Sequence, residues 1–392
     1  ALDLGFDLVR ITTADDFPEA ERRTLDRLAS GDLQGLAWLT PEWIRRSCRP
    51  RALLPEARSL ICLGVSYLVD RDDTPPSTEG PRGRVARYAW GRDYHRVLRK
   101  KARRLVQWLS TQVGREVAWR AFVDSSPFAD RAAAQRAGVG WFGKNTMIIT
   151  TSGFGSWVFL AAIAVDVELD PDKPDPRDCG QCRACLDACP TGALVEPYVL
   201  NAARCIAYQT IENRGSVPHE LRPLMGDWIF GCDVCQEVCP WNRRARPGRH
   251  PEFALQEPER DRPMLVPLLD LSEDAFERRF AGSPIRRTKR RGLLRNVAVA
   301  LGNSGDPAAV PALAAALADD DPVVRGHAAW ALGQLGTDDA RTALVSALTR
   351  EADPSVRAEI ARALGVEEES VADRAERTPA PLSCSDGRRR RR

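Results

Sequence analysis

Eight of the chain's eleven cysteines lie between Cys179 and Cys239, and their spacing leaves few ways to fold that stretch. The first run reads Cys179-x2-Cys182-x2-Cys185-x3-Cys189-Pro190. The second reads Cys232-x2-Cys235-x3-Cys239-Pro240, and Cys205 stands alone between them. A two-residue gap lets a turning loop aim successive thiolates at corners of one cluster, and the proline ends the turn. Eight thiolates are what two [4Fe–4S] clusters require. Disulfides would suit a secreted chain, but no hydrophobic signal segment opens this one. Zinc would explain paired Cys-x2-Cys sites, but not two Cys-Pro endings.

The pattern is close to that of bacterial ferredoxins, where three close cysteines hold one cubane and the cysteine before proline crosses to the other. It assigns Cys179, Cys182, Cys185 and Cys239 to a first cluster, and Cys189, Cys205, Cys232 and Cys235 to a second. Cys48, Cys62 and Cys384 lack ligand spacing, and Cys62, inside the apolar run LICLGVSYLV, reads as core.

A length of 392 residues suits two or three domains, and 43% hydrophobic with 28% charged residues is a globular composition. No stretch approaches the roughly 18 apolar residues of a membrane span, so thiol-bound clusters without an export signal predict a cytoplasmic location and no membrane partner. The net charge of +3 is modest but uneven. Arg82 to Arg104 holds ten Arg or Lys against one acid, Asp93, and Gly282 to Arg295 holds six and no acid. Such runs either meet phosphates or form solvated helix faces. The chain ends in Arg388–Arg392 behind a linker containing Pro and Ser, which predicts a disordered basic tail over residues 369–392.

Residues 1–168 mix strand and helix patterns, which predicts an α+β domain with a central sheet. Ser59–Leu68 reads as a buried strand. Asp93–Leu109 places Val97, Leu98, Ala102, Leu105, Val106 and Leu109 on one helical face. Val117–Val123 reads as a strand and Pro127–Ala137 as a helix. Met147–Thr151 and Ser156–Val165 read as two strands joined by the turn SGFG. The cysteine region spans 169–250, and 251–291 is a linker with the basic run. Over 292–368, VALG, WALG and RALG recur at Val299, Trp330 and Arg362, each as a helix closing at glycine. Asp306-Pro307, Asp321-Pro322 and Asp353-Pro354 mark helix starts. The period predicts HEAT-type repeats, a docking surface rather than a chemical one.

Two clusters alone make an electron wire, and the receiver lies upstream. In residues 121–160 Asp124 ends a strand, where its side chain either enters a site or caps the following helix. The Gly-rich segment Gly138–Asn145 matches neither the dinucleotide fingerprint nor a P-loop.

The combination VDSSPFADR, GWFGKNTMII, GSWVFL, CGQCRACLDACPTGAL, CIAYQTIENRG and GCDVCQEVCPWN resembles epoxyqueuosine reductases. The likeness extends to GFDLVRI, RYAWGRDYH and KRRGLLRNVAVALGN, and so covers nearly the whole chain. It implies a nitroreductase-like cobalamin-binding domain, a ferredoxin-like domain with two [4Fe–4S] clusters and C-terminal HEAT-like repeats. It implies that the epoxide of epoxyqueuosine at the tRNA wobble position is reduced to queuosine. Asp124 would be the proton donor, with its pKa raised by burial. Corrin contacts would come from Tyr88, Asp124, Ile148, Thr150, Leu160 and Asp233, although Ile148 and Leu160 suit strand core equally well. Nucleoside or tRNA contacts would come from Arg131, Asn213, Arg214, Arg286, Arg287 and Arg290. An external low-potential electron donor and a monomeric state are implied. The sequence departs from the family at Asp130, where Glu is usual, and at Ser47–Arg49, so no corrin contact is assigned near residue 48. The competing readings are a reductive dehalogenase, an electron carrier with a HEAT docking surface, and a tRNA-binding scaffold. The first predicts an export signal, the second has no use for Asp124, and the third has none for the cysteines.

Overall fold

The computed structural model describes residues 1–70, 80–257 and 259–366. Its strands, in chain order, are β1 (Leu8–Thr13), β2 (Ser59–Ser66), β3 (Arg84–Val85), β4 (Trp119–Phe122), β5 (Gly140–Phe142), β6 (Ile148–Thr150), β7 (Val158–Val165), β8 (Leu194–Glu196), β9 (Val199–Leu200) and β10 (Trp228–Phe230). The apolar run at Ser59 becomes β2, buried at every position. A strand sends alternate side chains to opposite faces, so burial throughout requires cover on both. Ile61, Leu63 and Val65 pack with Leu98, Ala102 and Leu105 of the helix Tyr94–Val113. Leu60 and Cys62 pack on the other face with Phe17, Cys48 and Ala133. The sheet is antiparallel in the order β1-β2-β7-β4, with Ile61 opposite Ile163 and Phe122 opposite Ala162.

The helix Tyr94–Val113 starts at Asp93, whose carboxylate accepts from the His95 amide, and ends at Gly114 with φ of 69°. The strands flanking the SGFG turn do not pair with each other. β6 pairs with β5, whereas β7 joins the central sheet. The Gly-rich segment is therefore partly a strand, and Gly140 is required there. A Cβ at this position would lie 2.1 Å from the Ile149 carbonyl oxygen across the pair.

The cysteine region attaches to this domain through backbone. β10 runs parallel to β3, pairing Trp228 with Arg84 and Phe230 with Val85. Next to it, Asp233 Oδ2 accepts from the Arg87 amide at 2.8 Å. The helical repeats pack on the far side of β10. Asn296, fully buried, donates to the carbonyls of Thr210 and Ile229 at 2.8 and 2.9 Å. Arg295 donates to the carbonyls of Asn213, Gly215 and Gln209, so its charge sits beyond the C-terminus of the helix Ile206–Ile211.

The repeats comprise Lys289–Ser304, Val310–Ala316, Pro322–Leu335, Asp338–Leu348 and Pro354–Leu364. Asp306, Asp321 and Asp353 each cap a helix start through the side chain. The recurring glycines divide into two roles. Gly365 is a C-cap with φ of 69°, but Gly302 and Gly333 lie inside helices, and the caps there are Gly305 and Gly336. A Cβ on Gly302 would come within 2.9 Å of Ala331 Cα and the Trp330 ring. Glycine is there for close helix packing. Cys384 and the Arg388–Arg392 tail lie outside the described residues. No helix among the described residues is long and apolar enough to cross a membrane.

Gly302→Val is expected to destabilise the protein by about 1–3 kcal/mol through overpacking. Urea unfolding checks this, and an unchanged midpoint would contradict the close packing of these two helices.

Candidate active site

Between the sheet domain and the cysteine region lies a cavity of about 2140 Å³. Its lining includes the apolar and aromatic side chains of Tyr67, Tyr88, Ile148, Phe159 and Leu160, together with Cys232, Asp233 and Cys235. A second cavity, of about 160 Å³ beside Val85 and Leu293, contains none of the candidate site residues.

Asp124 lies just past β4 with φ of 46°, a left-handed conformation uncommon for any residue but glycine. It caps no helix, because the next one begins at Asp130 behind Ala129. Its side chain opens into the cavity. Tyr94 Oη donates to Asp124 Oδ2 at 2.6 Å. His95 Nε2 lies 3.4 Å from the same oxygen, and His95 Nδ1 lies 2.8 Å from Asp93 Oδ1. His95 Nε2 has no hydrogen-bond partner of good geometry, so its link to Asp124 is an ion pair at close range. Burial opposes charge on His95, yet Asp124 and Asp93 outweigh it and push the imidazole up to about 9. Burial pushes the Asp124 carboxyl up, but His95, the Tyr94 hydroxyl and the Arg287 charge together hold it below the usual carboxylate value. This corrects the expectation of a raised Asp124 pKa: two donors beside the carboxylate overcome desolvation. At neutral pH the proton sits on His95, next to an ionised Asp124.

All ten described cysteines are free thiols. Their electrostatic neighbours fall mostly within two groups, although Cys185 also acts on Cys235. Burial and then Cys179 raise Cys185 to about 11, with Cys239 contributing, and Cys239 is raised by burial with Cys179 and Cys182 nearby. Burial raises Cys232 to about 12, with Cys205 and Cys189 contributing, and Cys235 is raised by burial, Cys232 and Cys205. Among the described residues no group of three His, Cys, Asp or Glu closes around a single metal ion. Four thiols around a cubane form a wider arrangement with several irons inside it. Cys189, Cys205, Cys232 and Cys235 all line the large cavity, and none of Cys179, Cys182, Cys185 and Cys239 does. Cys182 is exposed.

Tyr88, Ile148, Leu160 and Asp233 line the cavity, as do Arg131, Arg286 and Arg287. Burial pushes Asp233 up to about 7 despite the Arg87 amide it accepts from. Thr150 does not line it, since its hydroxyl donates to the Gly155 carbonyl at 2.9 Å and closes a turn. Asn213, Arg214 and Arg290 also lie off the wall. Asn213 accepts from the Gly215 amide and donates to Ser216, Arg214 donates to the Arg287 carbonyl, and Arg290 pairs with Asp319 at 2.5 Å. The basic run is therefore largely engaged within the protein. Arg286 pairs with Glu277, Arg287 with Glu212 and Arg291 with Asp321.

The sequence reading missed Tyr94 and His95 as partners of the acid; the one local signal was their position at the start of an amphipathic helix. It also missed a buried polar knot behind the wall. Gln236 Oε1 accepts from Ser156 Oγ at 3.0 Å and Tyr67 Oη at 3.3 Å, and Asn242 bonds both Ser156 and the Gln236 carbonyl.

Comparison with known proteins places the chain. Residues 47–125 match the family model "Epoxyqueuosine reductase QueG, DUF1730", residues 178–242 a "4Fe-4S double cluster binding domain" and residues 286–365 "HEAT repeats". An epoxyqueuosine reductase of Xanthomonas campestris is 41% identical over 340 residues, covering 86% of this chain and 94% of the relative. One from Bacillus subtilis is 38% identical over 366 residues, 93% of each. A crystal structure of an epoxyqueuosine reductase with an epoxyqueuosine-modified tRNA-Tyr stem loop superposes with a TM-score of 0.87 at 37% identity, covering 93% of this chain and 96% of that one. A Bacillus subtilis structure with its catalytic aspartate loop swung out of the active site superposes at 0.86 and 36% identity, with the same coverage.

A raised His95 pKa stabilises the fold in full below the ordinary value of about 6.5, and the gain is lost as pH rises through about 9. Asp124→Asn should therefore return the His95 titration toward 6.5. Histidine NMR, with only four such residues in the chain, reads this directly. An unchanged titration would mean that Asp124 does not hold the proton on His95.

Proposed function

The chain belongs to the epoxyqueuosine reductase family, and on that premise we propose how its cavity, acid and thiols divide the work. The reaction is the reduction of epoxyqueuosine in tRNA to queuosine. It consumes two electrons and two protons and releases the epoxide oxygen as water. One observation carries the assignment: a single cavity is lined by Asp124 and by Cys189, Cys205, Cys232 and Cys235.

The cavity suits a large planar cofactor with a nucleoside above it. At about 2140 Å³ it exceeds the 300–1,000 Å³ typical of a small-ligand pocket. Tyr88, Ile148, Phe159 and Leu160 offer the apolar contact that a corrin needs, and the first domain is read as its nitroreductase-like host. Thr150 would serve only through its backbone. Bound clusters would relay single electrons, and a bound cobalamin would supply a strongly reducing cobalt. Cys179, Cys182, Cys185 and Cys239 would hold the outer cluster, and Cys189, Cys205, Cys232 and Cys235 the one facing the cavity. Asp233 fixes the second cysteine loop against the cavity wall through the Arg87 amide.

As the C–O bond breaks, a proton passes from His95, charged at neutral pH, to the Asp124 carboxylate and on to the departing oxygen. Tyr94 orients the carboxylate by its 2.6 Å hydrogen bond. The positive φ of Asp124 stores local backbone strain, in keeping with a relative in which the corresponding loop is seen swung out. Arg131, Arg286 and Arg287 line the cavity and suit the phosphates flanking a base taken into a pocket. Arg287 also lies close enough to influence the Asp124 charge. Asn213 and Arg214 act by shaping the loop under Arg287, and Arg290 by holding the first repeat helix.

Asp124→Asn should lower turnover by about 10²–10⁴-fold, the usual worth of general acid help, while tRNA affinity stays within a few-fold. Mass spectrometry of tRNA nucleosides and a filter-binding assay read the two separately; full turnover would remove the acid role. Cys205→Ser should reduce bound iron from about eight to about four per chain, with the loss confined to the inner cluster by its paramagnetic signature.

A further inference from the structure

The two thiol groups are sided, and the outer side has a surface of its own. Cys189, Cys205, Cys232 and Cys235 line the same cavity as the acid, whereas Cys182 of the other group is exposed to solvent. Around it the rim is aromatic and cationic. Trp241, two residues after Cys239, is 45% exposed and rests edge-on against the buried Trp141 at 4.9 Å. Tyr198, near enough to Cys179 for their charges to interact, is 43% exposed. Arg177 stacks over the Trp141 ring at 4.7 Å. Lys144 Nζ donates to the carbonyls of Gly180 and Cys182 at 2.6 and 3.0 Å, which places an ammonium on the cysteine loop itself. Arg243 and Arg244 are exposed, and the Arg243 amide bonds the Cys239 carbonyl at 3.2 Å.

The charge is unevenly placed: Asp170–Asp187 carries five acids against Lys173, Arg177 and Arg183, and the basic excess lies after the second run. From Pro240 to Pro251 the chain carries four arginines and no acid. Arg243 and Arg244 have no carboxylate partner among the described residues, unlike the paired arginines of the basic run before the repeats. The acids nearest the first cysteine run are engaged locally. Asp175 pairs with Arg177 at 2.6 Å, Asp187 with Arg183 at 3.5 Å, and Asp178 accepts from the Gly180 amide.

Resting on the two-cluster reading above, we propose that this rim, centred on Trp241, Arg243 and Arg244, is the docking surface for a small acidic ferredoxin-type protein. It delivers single electrons to the cluster held by Cys179, Cys182, Cys185 and Cys239. One electron leaves the carrier's iron–sulfur centre and one arrives on the outer cluster; no bond changes and no proton moves. Exposed Trp, Tyr and Arg are the side chains that concentrate binding energy at protein interfaces, and unpaired arginines steer an acidic partner. Trp141, Arg177 and Tyr198 also border the large cavity; RNA is the less suited occupant of the rim centre because the arginines assigned to tRNA line the cavity, whereas Trp241, Arg243 and Arg244 do not.

The test uses the cluster-loaded full chain and a plant-type [2Fe–2S] ferredoxin as probe, with the methyl viologen radical cation as a reductant that needs no docking. In stopped flow at low salt, the pair Arg243→Glu and Arg244→Glu should slow reduction by ferredoxin by about tenfold or more, and weaken ferredoxin binding in parallel. The unaltered protein should slow as salt is raised. Trp241→Ala should slow the ferredoxin reaction while keeping its salt dependence. Viologen reduction, iron content and tRNA affinity should hold in every variant. A ferredoxin rate indifferent to both charge reversal and salt overturns the proposal. So does a charge-reversed protein that loses tRNA affinity and keeps its ferredoxin rate, since the rim is then an RNA surface. Failure of viologen to reduce the unaltered protein, or iron near half the full complement, would instead sink the two-cluster reading. If charge reversal costs iron, Arg243→Gln with Arg244→Gln and the salt series decide.

Discussion

The site depends on a very short piece of backbone pairing. β3 and β10 meet over two residue pairs, Arg84 with Trp228 and Val85 with Phe230. The Ala86 amide adds a bond to the Phe230 carbonyl at 2.8 Å, and Asp233 closes the series on the Arg87 amide. This junction brings Tyr88 to 5.9 Å from Phe230. It sets the second cysteine loop opposite the sheet domain, so that Asp124 and the inner thiols share one cavity. The repeats support it from behind, where Asn296 saturates carbonyls of Thr210 and Ile229 that burial would otherwise leave unpaired.

The cysteine groups were legible because ligand spacing is a local constraint: a turn that aims thiolates at one cluster must repeat at short intervals. The faces of β2 and of the helix Tyr94–Val113 were legible for a similar reason, since burial imposes a period. What failed was non-local or ambiguous. Tyr94 and Asp124 lie 30 residues apart and meet only when helix and sheet pack. β5 is three residues, too short to show a period, so the pairing of β6 with it rather than with β7 went unread. Glycine serves both caps and close packing, so Gly302 and Gly333 were read as caps that Gly305 and Gly336 supply.

Charge was the least readable feature. A sequence counts guanidinium groups but not their partners. Six cations between Gly282 and Arg295 suggested a strip for phosphates. Folded, Arg295 is buried among carbonyls, Arg290 is tied to Asp319, and Arg286, Arg287 and Arg291 face carboxylates on their own chain. Arg286 and Arg287 keep side-chain exposures of 47% and 41%, so a phosphate can still compete for them. Exposed ion pairs are worth little, about 1 kcal/mol or less, and that makes the exchange easy.

The Asp124 pair then resolves a conflict that a lone carboxyl could not. A general acid must hold a proton at neutral pH, yet a carboxylate beside a hydroxyl donor and an imidazole is driven to ionise. The structure meets both demands by placing the proton on His95, raised to about 9, and the acceptor oxygen 3.4 Å away. An oxygen anion developing over Asp124 is a stronger base than the carboxylate, so the proton moves outward when the C–O bond breaks and not before. Asp93 on the far ring nitrogen keeps His95 charged until then. The helix Tyr94–Val113 thus supplies both groups, Tyr94 and His95, that set the charge of Asp124 in the cavity.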